Sequence, residues 1–332
     1  MKKAVFGLLA ILLVAGTVFA NGQQGGTSSG KIAVTFAGTE GPTAGQSRAM
    51  QEAADILNAS GRFNVTVYTS GALSNDTDNM VTQARMGDNL VVPSDPGRLA
   101  SQFSIPDLNI LMAPYVLTDP AVLSKLPQTA LYKEWQAKLE AQGIYLLADM
   151  FNGFRSFYTT SPVTNVAGLR GLRIRGFGNN IGTALAKYLG YAQTTMAATE
   201  IYSGIQAKSL DGCEIQAATA DSYRLYEVTP YLALSKHYML QTAFVCGKKL
   251  IDDMPATDRE FFIKTLNDTV TKYSAIIAAE EQGIYDSFRA RGMTVTEVSI
   301  PEFQNAVNGL YTNNDLGLSA GLKDRLFNEL GL

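Results

Sequence analysis

Histidine occurs once in the 332 residues, at His237, and cysteine twice, at Cys213 and Cys246. A structural zinc site usually needs four Cys or His ligands and cannot be assembled from these, and a histidine-dependent catalytic triad would have to use His237. Charged residues are sparse at 17%, with 27 basic against 30 acidic side chains, a net charge of −3. Clustered Lys and Arg, which a broad nucleic-acid-binding face requires, are missing, so no nucleic-acid partner is expected. The GFGNN segment at 176–180 lacks both the GxxxxGK[ST] and the GxGxxG patterns of nucleotide-binding loops. No cofactor and no metal is expected. Beyond residue 20, no apolar run approaches the roughly 20 residues of a membrane-spanning helix.

What is present begins with an export signal. Residues 1–20 combine Lys2 and Lys3, an apolar stretch at 4–16 and a Val18-Phe19-Ala20 cleavage site. Cleavage there leaves 312 residues with 25 basic and 30 acidic side chains, a charge of −5. The cleavage point has no cysteine to accept a lipid, so an unanchored periplasmic product is expected, with 21–30 as a flexible leader.

From Lys31 the chain alternates strand-like and helix-like segments, an α/β pattern. Strands are expected from Lys31 and at 63–68, 90–92 and 144–148, with helices at 47–57 and 77–86 and one within 121–142, where Trp135 reads as a core or surface-packing residue rather than a ligand stacker. After Asn152-Gly153 the alternation restarts, through a strand at 172–175 and helices at 180–189 and 199–208. The length and this restart predict two lobes, lobe I at 31–152 plus about 241–280 and lobe II at 153–240 plus about 281–332. Thr257 and Glu260 form a capping-box pattern, and Phe262, Leu266, Val270, Tyr273, Ile277, Ile284 and Phe288 keep helical spacing almost to Gly292. A single lobe-spanning helix and two shorter ones broken near Gly283 both fit.

Four arginines, Arg155, Arg170, Arg173 and Arg175, fall in a stretch without lysine. A guanidinium holds a carboxylate through two parallel hydrogen bonds, so an organic acid is the natural guest. Arg170 and Arg173 read as surface residues, whereas Arg175 ends a strand-like run, where α/β sheets gather ligands. The adjacent acids Asp252-Asp253 and Glu280-Glu281 read as solvated helix faces rather than hydrolytic pairs. His237 lacks an accompanying nucleophile motif and reads as structural. Cys213 and Cys246 can be bridged or be two buried thiols.

The segments NGFRSFYTTSPVTNVAGLRGLRIRGFGNN and MAATEIYSGIQAKSLDGCEIQAATADSYRLYEVTPYLALSKHYML resemble the DctP-type substrate-binding proteins of TRAP transporters. The likeness lies in the G-x-R around Arg155, the DLKGLKIR-like 167–175, the P-M-x-x-x-E-x-Y-like 195–202, the DG-x-E at 211–214 and YEV at 226–228. It continues more weakly through 70–78, Met86-Gly87 and 113–120. The resemblance implies a two-lobed α/β binding protein that closes on a small organic acid, delivers it to membrane permease subunits and performs no chemistry on it. By resemblance, Arg175 is the principal carboxylate-pairing arginine and Arg155 a second arginine lining the cleft. Thr39, Glu40, Ser94 and Asp95 are candidate pocket residues of the first lobe, and Phe177, Gln216 and Tyr238 of the second. Asp95 also reads as a turn former before Pro96. Ile215, Gln216 and Gly176 depart from the pattern of many family members, and Ala198 from that of sialate binders. An ABC-type importer's binding component and a secreted carboxylate-dependent hydrolase are the alternatives, the first lacking these motifs and the second a facing acid pair.

Overall fold

The computed structural model describes residues 30–176 and 178–332; the expected signal peptide at 1–20 and the candidate pocket residue Phe177 lie outside the described residues. Runs rich in β-branched and aromatic residues form β1 (Ile32–Ala37), β2 (Phe63–Tyr68), β3 (Leu90–Ser94), β4 (Ile144–Thr159), β5 (Arg173–Gly176), β6 (Ala192–Thr195), β7 (Gly212–Gln216), β8 (Tyr231–Gly247) and β9 (Thr294–Glu297). They build one mixed sheet in the order β2-β1-β3-β8-β4-β7-β5-β6, with β9 pairing alongside β8. Strands β1, β2 and β3 run parallel to one another, as do β5, β6 and β7. Between these two groups lie the long antiparallel strands β4 and β8.

The helices are α1 (Gly45–Ala59), α2 (Thr77–Met86), α3 (Pro96–Gln102), α4 (Ala130–Glu140), α5 (Asn180–Leu189), α6 (Ile201–Gln206), α7 (Ala217–Ser222), α8 (Lys248–Asp253), α9 (Ala256–Ala290), α10 (Ile300–Thr312) and α11 (Leu322–Leu330). Together with the sheet they make the α/β architecture that the alternation predicts. Asp76 caps α2 by accepting from the Asn79 N–H at 3.0 Å, and Gly87 ends that helix at φ 115°, a left-handed conformation in which glycine carries no steric penalty.

The expected helix within 121–142 is present, and two other local expectations need correction. That helix is α4, which Thr129 caps through the Tyr132 N–H, and short 3-10 turns at Pro120–Ser124 and Leu126–Gln128 precede it. Trp135 of α4 is buried in the core, which decides between the core and surface-packing readings. Asn152-Gly153 does not end a strand, because β4 runs on through it. The pairing with β8 shifts register between Phe151 and Phe154, and Gly153 takes φ 104°, so a bulge absorbs the irregularity. Thr257 and Glu260 form no capping box, since the helix starts at Ala256 behind Pro255 and Thr257 is already in its first turn.

Helix α9 is continuous over 35 residues, with Gly283 inside it and exposed. Its buried stripe includes Phe262, Leu266, Val270, Ile277, Tyr285 and Phe288, and Phe262 stacks on Phe63 at 5.6 Å between ring centres. Glu281 departs from the solvated face expected for the Glu280-Glu281 pair. It is buried and accepts from the Phe154 N–H at 2.9 Å, satisfying a backbone donor that the β4 bulge leaves unpaired, while Glu280 pairs with Arg48 at 2.8 Å. Cys213 and Cys246 are both free and buried. Among the described residues no helix is long and apolar enough to cross a membrane.

Candidate functional site

Parallel strands carry their following loops to one end, and here the carboxyl ends of β1, β3, β5, β6 and β7 converge on one cavity. Thr39 and Glu40 follow β1, Ser94 and Asp95 lie at the end of β3, and Arg175 belongs to β5. Met196 to Ala198 follow β6, Gln216 closes β7, and Arg155 reaches the cavity from the middle of β4. The cavity measures about 100 Å³.

Arg155 is 2% exposed and fully engaged. Its Nε donates to Glu214 Oε2 at 2.5 Å, Nη1 to Gln216 Oε1 at 3.0 Å and Nη2 to the Glu214 carbonyl. Burial alone would push the Glu214 carboxyl up, but the Arg155 charge and hydrogen bonds from His237 and Arg155 outweigh it and bring it down to about 2. Glu214 likewise raises the Arg155 guanidinium against the effect of burial. Behind this pair, His237 Nε2 lies 3.4 Å from Glu214 Oε2, its Nδ1 contacts Ser235 Oγ at 2.8 Å, and its ring stacks on Phe157 at 4.7 Å. Burial lowers the His237 pKa, so the imidazole is a neutral, structural neighbour of the pair.

Arg175 is 4% exposed, and the Met196 carbonyl accepts from both its Nε and its Nη2 at 3.1 Å, which orients the guanidinium plane. Burial, and then the charge of Arg155, push the Arg175 guanidinium below its usual value, with Glu214 acting in the other direction. A cation disfavoured in this way gains from an incoming anion. On the opposite side, Glu40 Oε1 accepts from Gln216 Nε2 at 2.7 Å and from Thr219 Oγ1 at 2.9 Å, while burial pushes its carboxyl up.

Asp95 lines the cavity, but its visible contacts fit the turn-forming alternative. Oδ1 caps α3 by accepting from the Arg98 N–H at 2.9 Å, and Oδ2 pairs with Arg98 Nε at 3.1 Å. Ser94 Oγ is buried in the cavity wall with no hydrogen-bond partner among the described residues. Tyr238 does not line the cavity; it lies under Arg155, with its ring 5.6 Å from the guanidinium carbon and its hydroxyl 3.3 Å from Glu214 Oε2. Arg170 and Arg173 are exposed, and Arg173 pairs with Asp211 at 2.7 Å.

Sequence reasoning did not single out Asn75, Thr77, Arg98, Thr219 and Thr242, which also line the cavity, nor Glu214, which fixes Arg155. For Glu214 a signal existed: an acid between Cys213 and Ile215, inside a central strand, needs a buried cation opposite.

The model of bacterial extracellular solute-binding protein family 7, the DctP family, matches residues 36–315. The chain belongs to this family. Its members are TRAP-type periplasmic solute-binding proteins. The sialic acid-binding periplasmic protein SiaP of Vibrio cholerae is 22% identical over 276 residues, covering 82% of this chain and 85% of its own. The C4-dicarboxylate-binding periplasmic protein DctP of Rhodobacter capsulatus is 28% identical over 223 residues, covering 67% and 66%. Among solved structures, a TRAP periplasmic solute-binding protein of Actinobacillus succinogenes with bound L-galactonate superposes with a TM-score of 0.85 at 23% identity, covering 90% of this chain and 99% of that one. That likeness establishes the binding-protein fold with its long helix.

Proposed function

We propose that this family member captures a small organic acid in the cavity at the strand ends and delivers it, unchanged, to the membrane permease subunits of a TRAP transporter. The observation that carries the reading is Arg175, a nearly buried guanidinium oriented by the Met196 carbonyl in the cavity wall. It supplies the fixed charge for the ligand's carboxylate. Arg155, tied to Glu214, acts as a rigid second wall that presents polar edges while its own charge is balanced. Relatives whose names specify sialic acid and C4-dicarboxylates, and a structural neighbour holding L-galactonate, support an acid as the guest.

The cavity of about 100 Å³ is smaller than the ~300–1000 Å³ of typical ligand pockets, so its walls part to admit a ligand of sugar-acid size. We assign that motion to two lobes, 31–152 with about 241–280 and 153–240 with about 281–332, moving about the β4 bulge and α9. Export by a signal peptide at 1–20 would place the protein in the periplasm.

The test is thermal unfolding against a panel of organic acids. A ligand at about 100 times its Kd stabilises by roughly 2.7 kcal/mol, which for a chain of roughly 300 folded residues is a rise of about 4 °C. One or a few acids should give that rise without being converted, and Arg175→Ala should abolish it while the unliganded protein still melts cooperatively. Turnover of the acid, or full stabilisation of the Arg175→Ala variant, would overturn the proposal.

A further inference from the structure

A second and larger cavity, about 570 Å³, lies away from the strand ends, between the middle of α9, the first half of β4 and the 3-10 turn Pro120–Ser124. Asp149 of β4 lines it and is half-buried. Asp149 Oδ1 accepts from Gln241 Nε2 at 2.6 Å and Oδ2 from the Tyr132 hydroxyl. Each carboxylate oxygen has capacity for a further donor. Beside it, Gln241 Oε1 is fully buried with no partner among the described residues. The lining contains a second acid, Asp119, and no Lys, Arg or His, so its charge is of one sign.

The remaining surface decides what kind of cation fits. Pro120, Leu123, Pro127, Ala275 and Ala278 make much of the wall apolar. A hard metal ion stripped of water needs about six oxygen ligands, and no group of three or more acid, His or Cys side chains converges among the described residues. An ammonium nitrogen on a hydrocarbon body matches both parts of the lining, and the volume lies in the range of small-molecule pockets. We propose that this cavity is a second binding site, separate from the organic-acid cavity, for a small organic ammonium ion whose nitrogen donates to Asp149 and whose body packs against Pro120, Leu123 and Pro127.

The site requires Asp149 ionised. Burial pushes its carboxyl up to about 6, against the hydrogen bonds from Tyr132 and Gln241. The groups around it are Tyr132 from α4, Gln241 from β8 and Asp119 from the segment before the turn, while α9 contributes Asn267, Thr271 and Ser274, which do not titrate. Binding therefore weakens as pH falls through 6.

Calorimetric titration of the full chain with cyclohexylammonium tests this, with cyclohexanol and cyclohexanecarboxylate as matched bodies lacking the cation. At pH 8, saturable binding of one cyclohexylammonium is expected, with cyclohexanol at least about 10-fold weaker and cyclohexanecarboxylate failing to compete. An acid with pKa about 6 is roughly one-tenth ionised at pH 5, so affinity should fall about 10-fold there. Asp149→Asn should lose at least about 10-fold. Ala275→Phe, on an exposed position of α9, should block the cavity without disturbing the core, so the same loss reads out the site even if Asp149→Asn folds poorly. Absence of saturable binding, equal affinity for cyclohexanol, or unchanged affinity in Ala275→Phe would each overturn the proposal.

Discussion

Replacing Glu214 with glutamine tests the buried ion pair most directly. The substitution keeps the shape but leaves the Arg155 guanidinium, 2% exposed, without its counter-charge. The magnitude follows from the carboxyl itself. A folded-state pKa of about 2 against an ordinary value of 4.5 corresponds to about 3 kcal/mol of favourable interaction with the charged form. With the carboxylate 1% exposed, solvent screening does little to reduce that figure. Removing one partner of a buried pair costs about 3–5 kcal/mol in general, so the two routes agree. At about 2.1 cal/mol/K of unfolding entropy per residue over roughly 300 residues, 3 kcal/mol is a fall of about 5 °C in Tm.

The pH dependence has a definite sign. The Glu214 pKa is depressed by folding, so its contribution is fully present above pH 4.5 and is lost as pH falls from about 4.5 towards 2. The gap between wild type and Glu214→Gln should be widest at neutral pH, narrow below pH 4.5 and close only as pH falls below about 2. The double variant Arg155→Met/Glu214→Leu removes both charges and should recover most of the lost stability, since apolar replacement of a buried pair is often neutral. Denaturant melts of the three proteins across pH provide the measurement. A Glu214→Gln variant within 1 kcal/mol of wild type at pH 7, or a gap that grows as pH falls, would refute the reasoning.

Gly283→Ala should stabilise α9 by about 1 kcal/mol, seen as a small rise in Tm, because an added Cβ there meets nothing within 4 Å and glycine is a poor helix former. Gly153→Ala should destabilise by roughly 1–3 kcal/mol in urea melts, because Gly153 sits at φ 104° and a Cβ would lie 3.0 Å from that of Gln216, in contact with the cavity wall. Neither thiol should react with Ellman's reagent in the native protein, and both should react once it is unfolded. Burial pushes Cys213 up to about 12 and Cys246 up as well, leaving no thiolate at neutral pH.

Local pattern carries what depends on neighbours in the chain. Alternating strand and helix periods revealed the α/β class, the 3.6-residue repeat traced α9, and the density of arginines before the GFGNN segment marked the strand that holds Arg175. The motifs around Arg155 and 211–214 were sufficient to suggest the family, and the match over 36–315 bears that out.

Other features depend on residues far apart in sequence meeting in space. Asn152-Gly153 has the composition of a linker, yet β8 on one side and the Glu281 carboxylate on the other hold it in a continuous strand. Continuity of α9 through Gly283 was open because about 1 kcal/mol of local cost is small against the burial of a 35-residue helix's apolar stripe. Arg155 and Glu214 are 59 positions apart, and only the pairing of β4 with β7 brings them to 2.5 Å. The sequence by itself therefore determined the class of elements, the family and the strand that carries Arg175. Tertiary structure decided which arginine is balanced by a buried acid and which carbonyl orients the other. It also placed an acidic cavity on the far part of β4, because charge balance and burial are properties of the packed sheet rather than of any segment.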